Sequence, residues 1–234
     1  MTDATRWIFD IGAHTGLDSE FYLRKGFNVV AVEAFPNHCE HLREKFAREI
    51  AEGRYVMEAV GVSGETGSGR FFVHPEKDDW HTRTPEEWRG TFIPIDVPFE
   101  RFANICQRHP QPYYIKIDIE GAERHVLDDL TEDTRPRYLS IELNDDWPHN
   151  MKRLIELGYS EMIIVNQRTQ IGRAAPNPSR EGASVRTVFT GHHSGPFGED
   201  LGPDWTPIGS VAEAGARIEA LSFDKGDWYD IHVR

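Results

Sequence analysis

Three carboxylates, Asp118, Glu120 and Glu142, each stand at or just past the end of an apolar run that reads as a strand. That is the edge where ligands collect in open α/β sheets. An acid held there can take a proton from a reacting hydroxyl, and such general-base help is worth roughly 10²–10⁴-fold in rate. Upstream, the apolar run Trp7-Ile8-Phe9-Asp10-Ile11 leads into Gly12-Ala13-His14-Thr15-Gly16 and then a helical pattern. Gly12 and Gly16 remove side chains where a backbone must turn tightly and approach a ligand. The next strand, Asn28-Val29-Val30-Ala31-Val32, ends in Glu33, 33 − 16 = 17 residues after Gly16. A carboxylate at that place can accept hydrogen bonds from both ribose hydroxyls of an adenosine. The third glycine of a dinucleotide fingerprint is missing, which points away from NAD and toward a smaller adenosine-bearing ligand. Phe35-Pro36 supplies either an apolar wall for adenine or an exposed turn. Val60, in Glu58-Ala59-Val60-Gly61, falls at the end of the third strand beside the same crevice.

These residues need a frame that brings strand ends together. Short apolar, β-rich runs predict strands over 7–11, 28–32, 55–60, 113–117, 138–142, 161–165 and 227–233. Helical patterns lie between them, over 17–25, 37–52, 99–107, 123–130 and 149–157, the third with Pro98 just ahead of its first turn. Strand–helix alternation of this kind predicts a doubly wound α/β fold, a mostly parallel sheet with helices on both faces. Two segments interrupt it. One, near 65–98, carries a short strand at 70–73 and then Trp80, His81 and Trp88; the other, near 166–222, is rich in Gly, Pro, Ser and Asn. The chain reads as one catalytic domain over 1–234 with these two insertions, the second expected to cover the substrate side in part.

Composition narrows the partners. A formal net charge of −13 repels a phosphate backbone, and no compact Lys/Arg run offsets it, so nucleic acid is not the expected substrate. No stretch approaches the roughly 20 apolar residues that span a bilayer, and the first six residues lack the pattern of a secretory leader. Only Cys39 and Cys106 are present, which suggests reduced thiols in a cytoplasm. Nothing in the sequence sets the oligomeric state.

Taken in order, Asp10-Ile11-Gly12-Ala13-His14-Thr15-Gly16, Val32-Glu33-Ala34-Phe35-Pro36 and Ile115-Lys116-Ile117-Asp118-Ile119-Glu120-Gly121-Ala122-Glu123 resemble successive signatures of FkbM-type methyltransferases. The resemblance runs from about residue 7 to 159 and returns at Gly226-Asp227-Trp228-Tyr229-Asp230. It implies a Rossmann-like class I methyltransferase fold, a seven-stranded sheet whose last strand is antiparallel. It also implies S-adenosylmethionine as methyl donor and S-adenosylhomocysteine as product. By the same resemblance Asp10, Gly12 and Gly16 shape the methionine end of the cofactor site, Glu33 holds the ribose and Asp118 sits at the reactive end. The full expected cofactor set is Asp10, Gly12, His14, Thr15, Gly16, Glu33, Ala34, Phe35, Val60 and Asp118, with His14 standing where many relatives carry Asn. Relatives methylate oxygen on sugars and natural products, and some methylate nitrogen in peptides, so a small molecule, sugar or peptide is the expected acceptor.

Methyl transfer is an in-line displacement, so the site must hold the acceptor atom behind the methyl carbon and exclude water. Asp118, Glu120 and Glu142 are the candidate catalytic acids. Two of them have an alternative: Asp118 can orient the cofactor's ammonium group, and Glu120 can accept backbone hydrogen bonds in the turn before the helix at 123–130. Lys116 reads as a structural ion-pair partner, His81 as surface decoration, and Trp80 and Trp88 as either a sugar-stacking platform or staples for the insertion. Asp118, Glu142 and Asn144 could give Mg²⁺ its oxygen donors, but the sequence does not call for a metal and none is assigned. The competing functions are a fold that binds cofactor without transferring methyl and an NAD-dependent oxidoreductase.

Overall fold

A computed structural model of the protein describes residues 6–76, 81–82 and 91–234. Trp80 and Trp88 lie outside the described residues. The first three strands follow the apolar runs: β1 (Trp7–Ile11), β2 (Asn28–Val32) and β3 (Tyr55–Glu58), with α1 (Leu17–Arg24), α2 (Pro36–Lys45) and α3 (Ala47–Ala51) between them. The single helix expected over 37–52 is broken at Phe46, whose backbone leaves the helical region at φ −108° and ψ 24° while its ring packs on Tyr55.

The chain then departs from the expected pattern. β4 (Gly61–Val62), β5 (Gly67–Val73) and β6 (Ile93–Glu100) form a separate three-stranded sheet in the order β4-β6-β5. Residues 99–100, expected to open a helix behind Pro98, belong to β6; the helix α4 begins only at Phe102 and runs to Arg108. β6 alternates exposed and buried side chains there, leaving Pro98 exposed and turning Val97 and Phe99 onto Phe71 in a small core of their own.

β7 (Pro112–Ile117), α5 (Glu123–Asp129), β8 (Tyr138–Glu142), α6 (Trp147–Glu156) and β9 (Glu161–Asn166) resume the alternation. The segment read as an irregular insertion over 166–222 is more ordered than its composition suggests. It holds two 3-10 turns, a two-residue strand β10 (Thr206–Pro207) and a helix α7 (Val211–Glu219) before β11 (Tyr229–Val233) closes the chain. Ser210 caps α7 by accepting the Glu213 N–H at 3.2 Å.

The main sheet has the order β10-β9-β11-β8-β7-β1-β2-β3. β1, β2, β3, β7 and β8 pair in parallel, and β11 inserts antiparallel between β8 and β9. The seven expected strands are therefore all present, with β10 as an eighth at the edge. Because successive strand residues face opposite sides, Phe9, Ile115 and Leu139 pack against α4, α5 and α6, whereas Ile8, Val29 and Tyr114 pack against α1 and α2. That second face also carries Phe189, Phe197 and Trp205 from the 166–210 segment. The strand order reverses between β1 and β7, so the crevice of the sheet opens where Gly12 and Asp118 emerge side by side. Among the described residues no helix is long and apolar enough to cross a membrane, and both cysteines are free thiols.

Candidate active site

A cavity of about 400 Å³ occupies that crevice, a volume that suits a small ligand. Its floor is the turn after β1. The Gly12 and Ala13 N–H groups both donate to the Val32 carbonyl, at 2.9 and 3.1 Å, which ties the turn to the end of β2. Gly12 adopts φ +86°, and a Cβ there would fall 1.8 Å from the Asp118 carbonyl oxygen. Its missing side chain thus lets β1 and β7 emerge in contact. Gly16, at φ +73°, opens α1 and leaves room for Leu42 and Phe46; protein atoms, not a ligand, fill the space expected of it.

Glu33 faces this floor from the end of β2. Its Oε2 accepts the His14 N–H at 2.8 Å, and its Oε1 accepts the Phe35 N–H at 2.8 Å. Burial pushes its pKa up, against the Phe35 and His14 amides that favour the charged form. A carboxylate has about four acceptor positions, so two more hydrogen bonds can reach it from the cavity. Around it run imidazoles: His14 meets His38 edge-on at 4.5 Å and His192 at 5.8 Å, while His81 lies against Phe35 at 4.5 Å. His81 is thus part of the cavity wall and not surface decoration. Val60, Val62, Phe71 and Phe99 add an apolar wall, the last three contributed by the small sheet.

At the other end, Lys116 is buried among acids. Its Nζ donates to the Gly12 carbonyl at 2.9 Å and lies 3.3 Å from Asp118, 3.5 Å from Asp10 and 3.9 Å from Asp18. Burial alone pulls its pKa down, but Asp118, Asp10 and Asp18 together outweigh burial and hold it above the ordinary lysine value. It is the only lysine or arginine on the cavity lining among the described residues. The ion-pair role read from the sequence is the one observed. Asp10 lies beneath the cavity, fully buried, accepting from Ser19 Oγ at 2.6 Å, with its pKa pushed up to about 6 by burial against the pull of Lys116.

Asp118, Glu120 and Glu142 come together, each with a carboxylate oxygen within 4.8 Å of the others. Burial first, then Asp118, Asp230 and Glu123, hold the Glu142 carboxyl well above the usual range. Glu120 takes a left-handed φ of +54°, a costly conformation for a residue with a side chain, and its carbonyl accepts from Thr82 Oγ1 at 2.8 Å. The turn-capping role considered for Glu120 belongs to Glu123, whose carboxylate accepts the Ile119 and Gly121 N–H groups and the Asn144 amide. That contact, with the Asp146 N–H on Asn144 Oδ1, engages both ends of Asn144. The carboxylates gathered beside it are Asp118, Glu120 and Glu142.

Of the expected cofactor residues, Gly12, His14, Thr15, Glu33, Ala34, Val60 and Asp118 line the cavity; Asp10, Gly16 and Phe35 support it from behind. Several lining residues were not expected. Asp18 anchors the wall segment 191–194 by accepting the Ser194 N–H with both oxygens, at 3.0 and 3.1 Å. Gln167 bridges Ser194 O and Asp230 Oδ2, at 3.2 and 2.6 Å, and Asp230 itself faces the cavity with Trp228. Asp230 and Trp228 fall inside the Gly226–Asp230 block that already resembled the family, and Ser194 opens the stretch Ser194-Gly195-Pro196-Phe197-Gly198-Glu199, which resembles one found in some relatives, so a signal for them existed; Gln167 and residues 191–193 had no such signal.

A reversed last strand on a parallel sheet, with a glycine turn and a strand-end acid at the switch point, defines a Rossmann-like methyltransferase architecture. Residues 10–161 match the family described as the methyltransferase FkbM domain, and the chain belongs to that family. Among solved structures, the FkbM methyltransferase from Methylobacillus flagellatus KT is similar at 20% identity and a TM-score of 0.41, over 59% of this chain and 32% of that one. This chain therefore corresponds to about a third of that protein's length. The precorrin-6y C5,15-methyltransferase from Geobacter metallireducens GS-15 is 11% identical with a TM-score of 0.45, over 98% of this chain and 78% of that one. The C-terminal domain of the Rhodobacter capsulatus enzyme of the same name gives 11% and 0.45, over 99% and 82%. No curated protein matches the chain significantly.

Proposed function

We propose that the protein transfers a methyl group from S-adenosylmethionine to a hydroxyl of a sugar or other small molecule. The observation that carries this reading is Glu33: a buried carboxylate, fixed by two backbone N–H groups, with lone pairs left to grip two adjacent hydroxyls at one end of the cavity. The donor set fits the group. Val60, Phe71 and Phe99 offer adenine an apolar slot, Glu33 meets the ribose, and the acids around Lys116 suit the cofactor's ammonium group. When bound, S-adenosylmethionine supplies an electrophilic methyl on a positively charged sulfur.

The chain's own residues do the rest. Glu33 fixes the adenosine end, Gly12 and Lys116 hold Asp118 at the opposite end, and the wall at 191–194 limits water in the cavity. Asp118, Glu120 and Glu142 surround the place where an acceptor hydroxyl must lose its proton. N-methylation of a peptide and cofactor binding without transfer share the same cofactor residues.

Calorimetric titration of the protein with S-adenosylmethionine and with NAD tests the cofactor. Mass spectrometry of metabolite and peptide extracts incubated with isotopically labelled donor tests the acceptor. We expect binding of the sulfonium cofactor alone and label on small-molecule oxygen. Preference for NAD, or label only on peptide nitrogen, would contradict the proposal.

A further inference from the structure

Asp230 lies outside the family match, at the start of the antiparallel strand β11. The register of β11 on β8 places it directly opposite Glu142. Directly opposed residues of antiparallel strands share a face, with Cβ atoms roughly 4.5–5.5 Å apart, and both of these side chains line the cavity. Two carboxylates so close, removed from bulk water, cannot both ionise readily. Asp230 is only 9% exposed. The Gln167 amide fixes it, because Nε2 donates to Asp230 Oδ2 at 2.6 Å and also to the Ser194 carbonyl at 3.2 Å. With Oδ2 used as an acceptor, a proton held by the pair rests on Asp230 Oδ1 or on Glu142.

We propose that Asp230 and Glu142 are a proton-sharing carboxyl pair that removes the proton of the acceptor hydroxyl during methyl transfer. The proposal rests on the reading of this cavity as the site of transfer to oxygen. Burial and then Asp118 push the Asp230 carboxyl up to about 8, and burial, Asp118 and Asp230 drive Glu142 the same way. The charged groups facing the pair are Asp118 and Lys116 on the β7 side, Glu120 in the turn after it, Glu123 on α5 and Asp18 on α1. Lys116 is committed to Gly12, Asp118 and Asp10, so it leaves the pair's shared charge in place. Asp118, more exposed at 44% and bound to Lys116, holds position while the pair takes the proton. In the step itself the hydroxyl proton passes to the ionised member of the pair, which is populated as the pH approaches about 8. The oxygen forms its bond to the methyl carbon as the carbon–sulfur bond breaks and that electron pair neutralises the sulfur. Ether and thioether leave, and the pair releases one proton to water.

The free protein tests the pair without any cofactor. In ¹³C-carboxyl NMR titrations, Asp230→Asn is expected to lower the Glu142 midpoint by about one pH unit or more, and Glu142→Gln to lower that of Asp230 likewise. Asn at 230 can still accept from Gln167, and the reciprocal variant keeps the test available should one of the two fail to fold. Midpoints that do not move would overturn the pair. Its role in transfer is read from the rate at which label passes from methyl-tritiated S-adenosylmethionine into the small-molecule fraction of an extract of the source cells. The double variant should slow this by roughly 10²–10⁴-fold, each single variant by less, with calorimetric affinity for the donor unchanged; an undiminished rate would remove the catalytic role. A wild-type protein that binds no donor defeats the methyl-transfer reading and the pair's catalytic role with it, while the titrations still decide whether the pair exists.

Discussion

Glu33 and Lys116 show two ways in which a buried charge is stabilised here. Glu33 is held by backbone N–H groups, which are local in sequence: His14 belongs to the preceding turn and Phe35 to the next residue but one. Such an arrangement can be read from a strand–turn–helix pattern and a spacing. Glu33→Ala is expected to weaken S-adenosylmethionine binding by roughly 1–3 kcal/mol, the range for losing charge-assisted hydrogen bonds, or about 5- to 150-fold in calorimetry. Unchanged affinity would contradict the ribose role. Lys116 instead draws partners from positions 10, 12, 18 and 118, and Asp230 gains its meaning only from the register of β11 on β8. The Gly226–Asp230 block marks Asp230 by resemblance, but a pairing between residues 88 positions apart, 230 − 142, shows only in the register, so Asp230 was not among the expected acids whereas Glu142, closing an apolar run, was.

Gly12 is the point where strand ends become a site. It carries both a left-handed φ and a close approach to the Asp118 backbone, so it joins β1 to β7 as well as β1 to α1. Gly12→Ala should lower the melting temperature far more than Gly26→Ala. The latter position shares a positive φ, +91°, but an added Cβ meets nothing within 4 Å, so only the left-handed cost of roughly 1–2 kcal/mol applies. Equal losses in the two variants, measured by scanning calorimetry, would show that the contact with β7 is not what fixes Gly12. Strands were legible because their cores are short apolar runs with a fixed period; β1, β2 and β8 have the expected ends. The 99–107 helix was misplaced because Pro98 reads as a helix opener, while its partners in β5 lie some thirty residues upstream and only pairing reveals a strand. The helix α7 was hidden by the Gly and Pro content of the segment around it, although Ser210 and Glu213 form a helix-start signal.

The acidity of the protein, −13 at neutral pH, is partly built into its interior. Burial raises the carboxyls of Asp10 to about 6 and Asp230 to about 8, and shifts Asp18, Glu33 and Glu123 upward too. A carboxyl raised above its unfolded value of about 3.9 contributes stability that is full below that value and lost as pH rises through the folded one. Asp10 loses its share near pH 6 and Asp230 near pH 8. His232 acts oppositely: burial lowers it to about 3, so its share is present above about 6.5 and lost as the pH falls toward 3. The melting temperature of the free protein is therefore expected to rise as the pH is lowered from 8.5 to 6.5, and Asp230→Asn should flatten that slope. A melting temperature that falls over this interval would mean that these acids are not buried as described.

All of these effects converge on one cavity with Glu33 at one end and Asp118, Glu120, Glu142 and Asp230 at the other. A crystal structure with S-adenosylhomocysteine should show both ribose hydroxyls on Glu33 and the sulfur facing Asp118, Glu142 and Asp230. A nucleoside lodged elsewhere, or one whose ribose turns away from Glu33, would contradict it.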